Sequence, residues 1–491
     1  MSLFLTGATG FLGHYLLAEL LRRPNLRCRV LLRPPLADST RRLATLLDGL
    51  GVSLSAHIDS NRIIPVEGAL PDGLSVDSLI GVSMVIHSAG STLFDSDSTG
   101  EPSHTNVAGT QALLASARAA GVTRFVQIST AYVCGDRVGV IPETVAADPP
   151  PFRNDYERSK WRAEQLVRAW SDATHSAVIC RPSILFGDRS NGRATTMKGL
   201  YLIARATELL GRAVADDPDL DRQHIPLRLY GKRDATSNVV PVDWAAEQIV
   251  RIALDSSSGP VHHITNPDAP SHAEIKAWLE GYFDIGGGRF CDAPWPLENP
   301  NHYESLFYSL GNVVHDYFRH GLSFESHCSD GAPEDGRLVD RDHFFACLRY
   351  AQSTQWGRGG VEARRPQQPA GRIDPRWYFE KYLPFAVPRS VVARVEALTA
   401  IIRFVITDLE SCDWVCRFEQ GQLAAVHGLS GGPTAEFEYR LSYDEFESIV
   451  AARRSVQEVF FQGHVEILGN VERALKMVPI VGEFLREFPV C

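Results

Sequence analysis

The stretch Leu3 to Leu21, LFLTGATGFLGHYLLAELL, constrains this chain more than any other. Leu3 to Leu5 reads as a short apolar strand, and Thr6 to Gly13 as a glycine-rich turn. Leu16, Leu17, Leu20 and Leu21 then recur at helical spacing. Gly7, Gly10 and Gly13 stand in the pattern Gly-x-x-Gly-x-x-Gly. Glycines so placed allow a tight turn, let the backbone approach a pyrophosphate and let a helix pack closely on a strand, with the phosphates at the helix N-terminus. Three glycines alone specify little; three that follow a strand and open a helix point to a dinucleotide site.

A second strand, Cys28 to Leu32, ends at Arg33. About twenty residues past such glycines, NAD sites hold the ribose 2′-hydroxyl with an acid, whereas an arginine suits a 2′-phosphate. With Arg41 and Arg42 close by, NADPH is expected over NADH. Further strand patterns at Arg62–Val66, Ser83–His87, Arg124–Ile128 and Ala177–Arg181 alternate with helical ones. One helix starts near Asn106, with Val107, Thr110, Leu114 and Ala117 on one face. This alternation predicts an α/β fold, a Rossmann-type doubly wound parallel sheet with ligands beyond the carboxyl ends of its strands. Ser129, Thr130 and the turn at 182–187 would lie there.

Between the last two of these strands stands NDYERSKWRAEQLV, with Tyr156 and Lys160 four apart and so on one face of a helix. A phenol, with a pKa of ~10, exchanges protons poorly at neutral pH. A nearby ammonium lowers that pKa toward the working range. The spacing therefore predicts a tuned tyrosine, with the same lysine free to hold the nicotinamide ribose. A hydroxyl at the neighbouring strand end, Thr130 or Ser129, can hydrogen-bond a substrate carbonyl oxygen. Tyr-x-x-x-Lys is common by chance; its place after a dinucleotide-binding opening and a Ser-Thr strand end gives it weight. His87 and His104 are read as structural.

At 491 residues the chain is expected to form two or three domains. Its net charge of −10 argues against nucleic acid as a bulk partner. A first strand beginning almost at Met1 leaves no room for a signal peptide, and no run reaches the ~18 apolar residues of a membrane helix. Nine cysteines without metal-ligand clustering indicate reduced thiols in a cytoplasmic protein and no metal site.

GATGFLG, HSAG, NVAGT, ISTAYVCG, YERSK and RPSILFGD stand in the order of the extended short-chain dehydrogenase/reductases, which the chain resembles over about residues 1 to 300. HSAGSTLF, RPSILFGDRSNG and NVVPVDWAAEQIV are most similar to the branch that reduces fatty acyl-CoA and carrier-protein thioesters with NADPH, to an aldehyde or onward to an alcohol. The resemblance implies a catalytic triad of Thr130, Tyr156 and Lys160, Thr130 being preferred to Ser129 by its position before VCG. It implies cofactor contacts from Thr6, Gly7, Thr9, Gly10, Phe11, Leu12, Gly13, Arg33 and Arg42. Further contacts would come from Ala69, Leu70, Ser88, Ala89, Gly90, Asn106, Lys160, Pro182, Ser183 and Ile184. Where the family has Gly-Asp-Leu near the adenine, this chain has Gly68, Ala69 and Leu70, so a side-chain contact is lost.

This reductase domain, with its substrate lobe, is expected over residues 1–288 and a helical, aromatic-rich cap over 289–351. A helix at Gly199–Leu210 would border the substrate, a strand at Ile225–Leu229 would extend the lobe, and the acidic Ala215–Asp221 is read as a solvated loop. A Gly/Pro/Gln/Arg-rich linker follows at 352–371. In 372–491 Val391, Val395, Leu398, Ile402 and Val405 read as one helical stripe, followed by strand-like WVCRF and AEFEYRL. Ser442 and Glu445 read as a capping box. FFQGHVEILGN reads as another strand and turn, and Val471–Val478 as the start of a last helix. That order resembles the α+β sterol-carrier-protein-2 fold, which implies a tunnel for acyl chains or sterols. The expected function is an NADPH-dependent reductase of a lipophilic acyl thioester, on coenzyme A or an acyl carrier protein. The alternatives are a dehydrogenase or ketoreductase of a steroid- or polyketide-like lipid, and a lipid-binding scaffold with a vestigial cofactor site.

Overall fold

The computed structural model describes residues 1–491 except 98, 145–147, 216–219, 292–295, 312–316, 318–320, 327–336, 358–365, 367–370, 391, 394–398, 429–431, 452, 455, 489 and 491. Two units emerge: Met1–Phe307 with Gly311–Gly357, and Tyr308–Leu310 with Arg358–Cys491.

Seven strands of the first unit form one parallel sheet: β1 (Ser2–Thr6), β2 (Arg27–Leu32), β3 (Ile63–Glu67), β4 (Met84–His87), β5 (Arg124–Ile128), β6 (Ser176–Pro182) and β7 (Val261–Ile264). Their order is β7-β6-β5-β4-β1-β2-β3. Such strands are covered on both faces by crossover helices and read as unbroken apolar runs; Leu3, Phe4 and Leu5 are fully buried. The helices include α1 (Phe11–Leu21), α2 (Leu36–Asp48), α3 (Gly109–Ala119), α4 (Asp155–Trp170), α5 (Leu200–Ala215) and α6 (Val242–Leu254). Strand order reverses between β1 and β4, where chain crossovers depart in opposite directions and a crevice opens at the carboxyl ends. Thr6 pairs with His87 at that point.

The expected strands lie within a residue or two of the observed ones, except that β7 is an addition and Ile225–Leu229 becomes Arg228–Tyr230. Region 289–351 is not purely helical. Arg289–Cys291 pairs in parallel with Arg228–Tyr230, and Leu322–Phe324 with Gly139–Ile141. Each pair is a separate two-stranded ladder, whose hydrogen bonds a three-residue helix could not make. The helix α7 (Arg341–Ser353) buries Phe344, Cys347, Leu348 and Ala351 at helical spacing. Gln352 Nε2 and Trp356 Nε1 donate to the Glu208 carboxylate of α5 at 2.9 and 2.7 Å, so ordered packing continues past Gln352. Residues 358–365 and 367–370 of the expected linker, and 216–219 of the acidic loop, lie outside the described residues.

The second unit holds a five-stranded mixed sheet: β8 (Ala400–Ile406), β9 (Asp413–Glu419), β10 (Gln422–Gly428), β11 (Phe437–Leu441) and β12 (Val465–Gly469). The order is β10-β9-β8-β11-β12, with β8 antiparallel to β9 and parallel to β11. Helical turns from Pro375 to Arg389, α8 (Tyr443–Val450) and α9 (Val471–Glu487) complete it. The helical stripe expected through Ile402 and Val405 is thus wrong there: both lie on β8. Ala400, Ile402 and Ile406 are buried, and the β-branched run finds partners on both sides. Val391, Val395 and Leu398 lie outside the described residues. Ser442 accepts the Glu445 N–H at 3.3 Å, while the Glu445 carboxylate lies 3.2 Å from His464 Nδ1. Phe460 and Phe461, read as the start of a strand, end the helix Val456–Phe461 instead, and β12 begins only at Val465. Among the described residues no helix is long and apolar enough to cross a membrane.

Candidate active site

Gly7 follows β1 with φ +75°, a conformation that costs residues with a Cβ about 1–2 kcal/mol. A Cβ there would lie 2.5 Å from the Ala89 nitrogen and 2.6 Å from the Ser88 carbonyl carbon. The turns after β1 and β4 therefore meet backbone to backbone. On Gly13 a Cβ would come within 2.0 Å of the Gly7 oxygen, so α1 packs directly on the turn. Gly10 caps α1 without a side-chain bond, and no acid occupies the first turn. The first N–H groups and the positive end of the helix are thereby left to a ligand anion. Thr9 and Phe11 are partly buried beside them and Leu12 is buried.

A chain of hydrogen bonds fixes the crevice from below. Thr6 Oγ1 accepts the Ala89 N–H at 3.1 Å and donates to His87 Nδ1 at 2.7 Å. His87 Nε2 then donates to Thr110 Oγ1 at 3.2 Å, which donates to the Asn106 oxygen at 2.7 Å. Only the neutral Nε2–H tautomer satisfies this order. Burial, reinforced by the Lys160 charge, holds the imidazole down at about 3. His87 is thus a strut, as the sequence reading has it. Asn106 is 1 % exposed and its amide is engaged: it accepts the Ser91 N–H (2.8 Å) and donates to the Ser91 oxygen and Ser159 Oγ (both 2.9 Å). It clamps Ser91, just past the Ser88–Gly90 turn, to α4.

Beyond β5, Thr130 caps the short turn Ala131–Cys134, accepting the Tyr132 N–H at 3.3 Å. The start of α4 is pinned by Asn154, which accepts the Glu157 N–H, and by the Phe94 oxygen, which accepts the N–H groups of Asp155 (2.9 Å) and Tyr156 (3.3 Å). The Tyr156 hydroxyl is hydrogen-bonded to Thr130. Lys160 Nζ donates to the Ile128 oxygen at 2.6 Å and lies 3.7 Å from where a Cβ on Gly90 would sit. Thr130, Tyr156 and Lys160 thus come together at the carboxyl end of β5, beside the Ser88–Gly90 turn.

The electrostatics correct one expectation. Burial raises the Tyr156 phenol to about 12, outweighing the lowering by Thr130. Burial likewise lowers Lys160 to about 8, against the opposing pull of Glu164. Each group loses more by desolvation than the expected attraction returns, and the ammonium is anchored on a backbone carbonyl instead of on the phenol.

An aromatic wall beside Tyr156 escaped the sequence reading. Phe94 stands 6.1 Å from the Tyr156 ring and 5.6 Å from Tyr317, which meets Tyr132 edge-on at 4.9 Å. Arg153 lies 5.1 Å over the Tyr317 ring and pairs with the buried Glu157 at 2.9 Å. Tyr317 is distant in sequence, and only the aromatic richness of its region hinted at it.

The cofactor fit rests on orphaned hydroxyls as well as on the glycine cradle. Ser129 and Ser183, 4 % and 6 % exposed at the ends of β5 and β6, have hydroxyls without a hydrogen-bond partner among the described residues. Pro182 closes β6, and the Ile184 N–H is taken by the Asn238 oxygen at 3.3 Å. Ala69 and Leu70, partly buried, follow β3. Arg33 is exposed just past β2, as is Arg42 on α2, whereas Arg41 is paired with Asp38 at 3.1 Å.

Residues 5–249 match the male sterility protein family, and residues 380–482 the SCP-2 sterol transfer family. The chain is 27 % identical over 293 residues to the isonitrile lipopeptide synthase of Streptomyces coeruleorubidus, covering 57 % of this chain and 18 % of that protein. It is 27 % identical over 297 residues to aldehyde reductase lnaA of Aspergillus flavus, covering 56 % of this chain and 27 % of that one. The chain thus spans under a third of either relative's length. The crystal structure of the terminal R domain from the myxalamid PKS-NRPS biosynthetic pathway superposes with a TM-score of 0.58 at 22 % identity, covering 72 % of this chain and 91 % of that one. That likeness establishes the fold.

Proposed function

For a chain that joins a dinucleotide-binding domain of the male sterility protein family to an SCP-2 sterol transfer domain, we propose the reduction of a lipophilic acyl thioester with NADPH. The meeting of Thr130, Tyr156 and Lys160 beside a glycine-lined crevice, at a helix with no acid in its first turn, carries this reading. The bound nicotinamide would supply a hydride for the carbonyl carbon. Gly7, Gly10 and Gly13 would admit the pyrophosphate, Ser183 would donate to the cofactor, and Arg33 with Arg42 would meet the 2′-phosphate. Thr130 and Tyr156 would hydrogen-bond the carbonyl oxygen and stabilise the charge that develops there. Lys160, fixed by the Ile128 carbonyl, would orient the ribose. The phenol, held near 12, works as a proton donor, not as a phenolate. Loss of the thiol gives an aldehyde; a second reduction, with Tyr156 donating the proton, gives the alcohol. Residues 1–351 would perform this chemistry and 372–491 would hold the lipophilic part.

The test compares NADPH consumption with long-chain acyl-CoA and with ketones while free thiol is measured. Thiol release in step with NADPH loss is expected. Consumption with ketones alone would replace the proposal by a ketoreductase. Tyr156→Phe should lower turnover at least 100-fold while NADPH affinity stays within a few-fold; surviving activity would remove Tyr156 as proton donor.

A further inference from the structure

Lys198 forms a bridge over the candidate active site. Its Nζ donates to Thr92 Oγ1 at 2.6 Å. Thr92 lies in the loop that follows β4, whereas Lys198 follows β6 and stands just before α5. In the sheet β4 and β6 flank β5, so this hydrogen bond spans the carboxyl end of β5, where Thr130, Tyr156 and Lys160 meet. Both feet of the bridge rest on the site. On one side a Cβ on Gly199 would lie 3.1 Å from Ile184 Cγ2, just past β6. On the other, Gly90, two residues from Thr92 and so within about 7 Å of it, borders Lys160. Two residues past Thr92, Phe94 faces the Tyr156 ring.

The ammonium has donors to spare. It carries three N–H groups, and Thr92 accepts one. Among the described residues no carboxylate pairs with it, in a chain of net charge −10. Partial desolvation lowers its pKa, and no acid acts in the opposite direction. Leu93, next to Thr92, is 44 % exposed. An unpaired cation and a solvated apolar side chain thus stand within a residue of each other, at the edge of the site. That combination matches a phosphate joined to a branched hydrocarbon. The phosphopantetheine arm has this form, its phosphate being one methylene away from a carbon that bears two methyl groups. An anionic group on the acyl chain would use the cation but leave Leu93 in water.

We propose that Lys198 and Leu93 form the subsite for the phosphate and the adjoining dimethyl carbon of the phosphopantetheine arm, which coenzyme A and carrier proteins share. The inference rests on the thioester reduction proposed above and adds the residues that hold the thiol side of the substrate. Thr92 keeps the ammonium in place while its remaining N–H groups meet the phosphate. These charge-assisted contacts lie away from the reacting carbon and are made alike before and during reaction, so they act on KM and not on kcat.

The experiment titrates the full chain, without NADPH, with 4′-phosphopantetheine and with pantetheine in a calorimeter. The two probes differ only in the phosphate, and neither carries an acyl chain. The phosphorylated arm is expected to bind at least tenfold more tightly at low salt, with the gap narrowing as salt screens the charges. Lys198→Met should shrink the gap to under twofold and Lys198→Arg should keep it. Leu93→Ser should weaken both probes about threefold. Equal binding of the two probes by the wild type, or an undiminished gap in Lys198→Met, would overturn the proposal. An unaltered pantetheine affinity in Leu93→Ser would overturn the part given to the leucine. With NADPH added, KM is compared for octanoyl-CoA, an octanoyl carrier protein and octanoyl-N-acetylcysteamine, which lacks the phosphate. Lys198→Met should raise KM for the first two at least tenfold relative to the third. A response confined to one of them identifies that carrier as the source of the phosphate. A gap between the probes without reduction of any thioester strikes only the reductase, and reduction without a gap strikes only the subsite.

Discussion

Gly7 offers a controlled perturbation because Gly81 shares its φ of +75° but not its surroundings. Alanine at either position adopts a left-handed conformation costing about 1–2 kcal/mol. The entropy that alanine removes from the unfolded chain is the same at both and cancels in the comparison. At Gly81 a Cβ meets nothing within 4 Å. At Gly7 it would lie 2.5, 2.6 and 2.7 Å from backbone atoms of Ala89 and Ser88. Backbone cannot rotate away as a side chain can, so overpacking adds about 1–3 kcal/mol. Gly7→Ala should therefore cost about 2–5 kcal/mol and Gly81→Ala about 1–2. Because the displaced atoms belong to the turns that form the crevice, Gly7→Ala should also weaken NADPH at least tenfold, equivalent to about 1.4 kcal/mol. Gly81→Ala should leave it unchanged. Urea unfolding supplies the stabilities and nicotinamide fluorescence the affinities. Equal losses in the two variants, or unaltered cofactor binding in Gly7→Ala, would refute the claim that backbone contact is what demands glycine there.

Arg33→Ala should weaken NADPH far more than NADH; equal losses in a titration of both would place the 2′-phosphate elsewhere. Lys160, lowered to about 8, loses its charge as pH rises through that value, so NADPH affinity should fall above pH 8 and be flat with pH in Lys160→Met. The stability sign is opposite. Because the folded pKa lies below the unfolded one, the unfolded chain binds more protons between about 8 and 10.5, and the wild type should gain stability across that window by about 3 kcal/mol relative to Lys160→Met. Glu157→Gln leaves the Arg153 guanidinium, 5 % exposed, without its 2.9 Å partner, and should cost about 3 kcal/mol in urea unfolding. A loss under 1 kcal/mol would show that Asp136, 3.9 Å from Arg153, takes over the pairing.

Much of the fold was legible because its signals are local. The glycine spacing, the apolar runs of β1 to β6 and the helical face of α3 each report on a few neighbouring residues. Where two periods fit the same run, local reading failed: Ile402 and Val405 suit a helix by spacing, but the flanking strands β9 and β11 draw them into a sheet. Within the site, Tyr156 and Lys160 were found because both lie on α4. Phe94 and Tyr317 were missed because the contacts of Phe94 with Tyr156 and with Tyr317 span segments that nothing in the sequence pairs.

By itself the sequence determined which residue types could do chemistry and in what order they meet a parallel sheet, since backbone periodicity and turn geometry act over a few residues. Tertiary structure decided their charge. The Tyr156 phenol near 12 and the Lys160 amine near 8 are products of burial. Desolvation depends on every atom within several ångströms, most of them far away along the chain, so no local pattern encodes it.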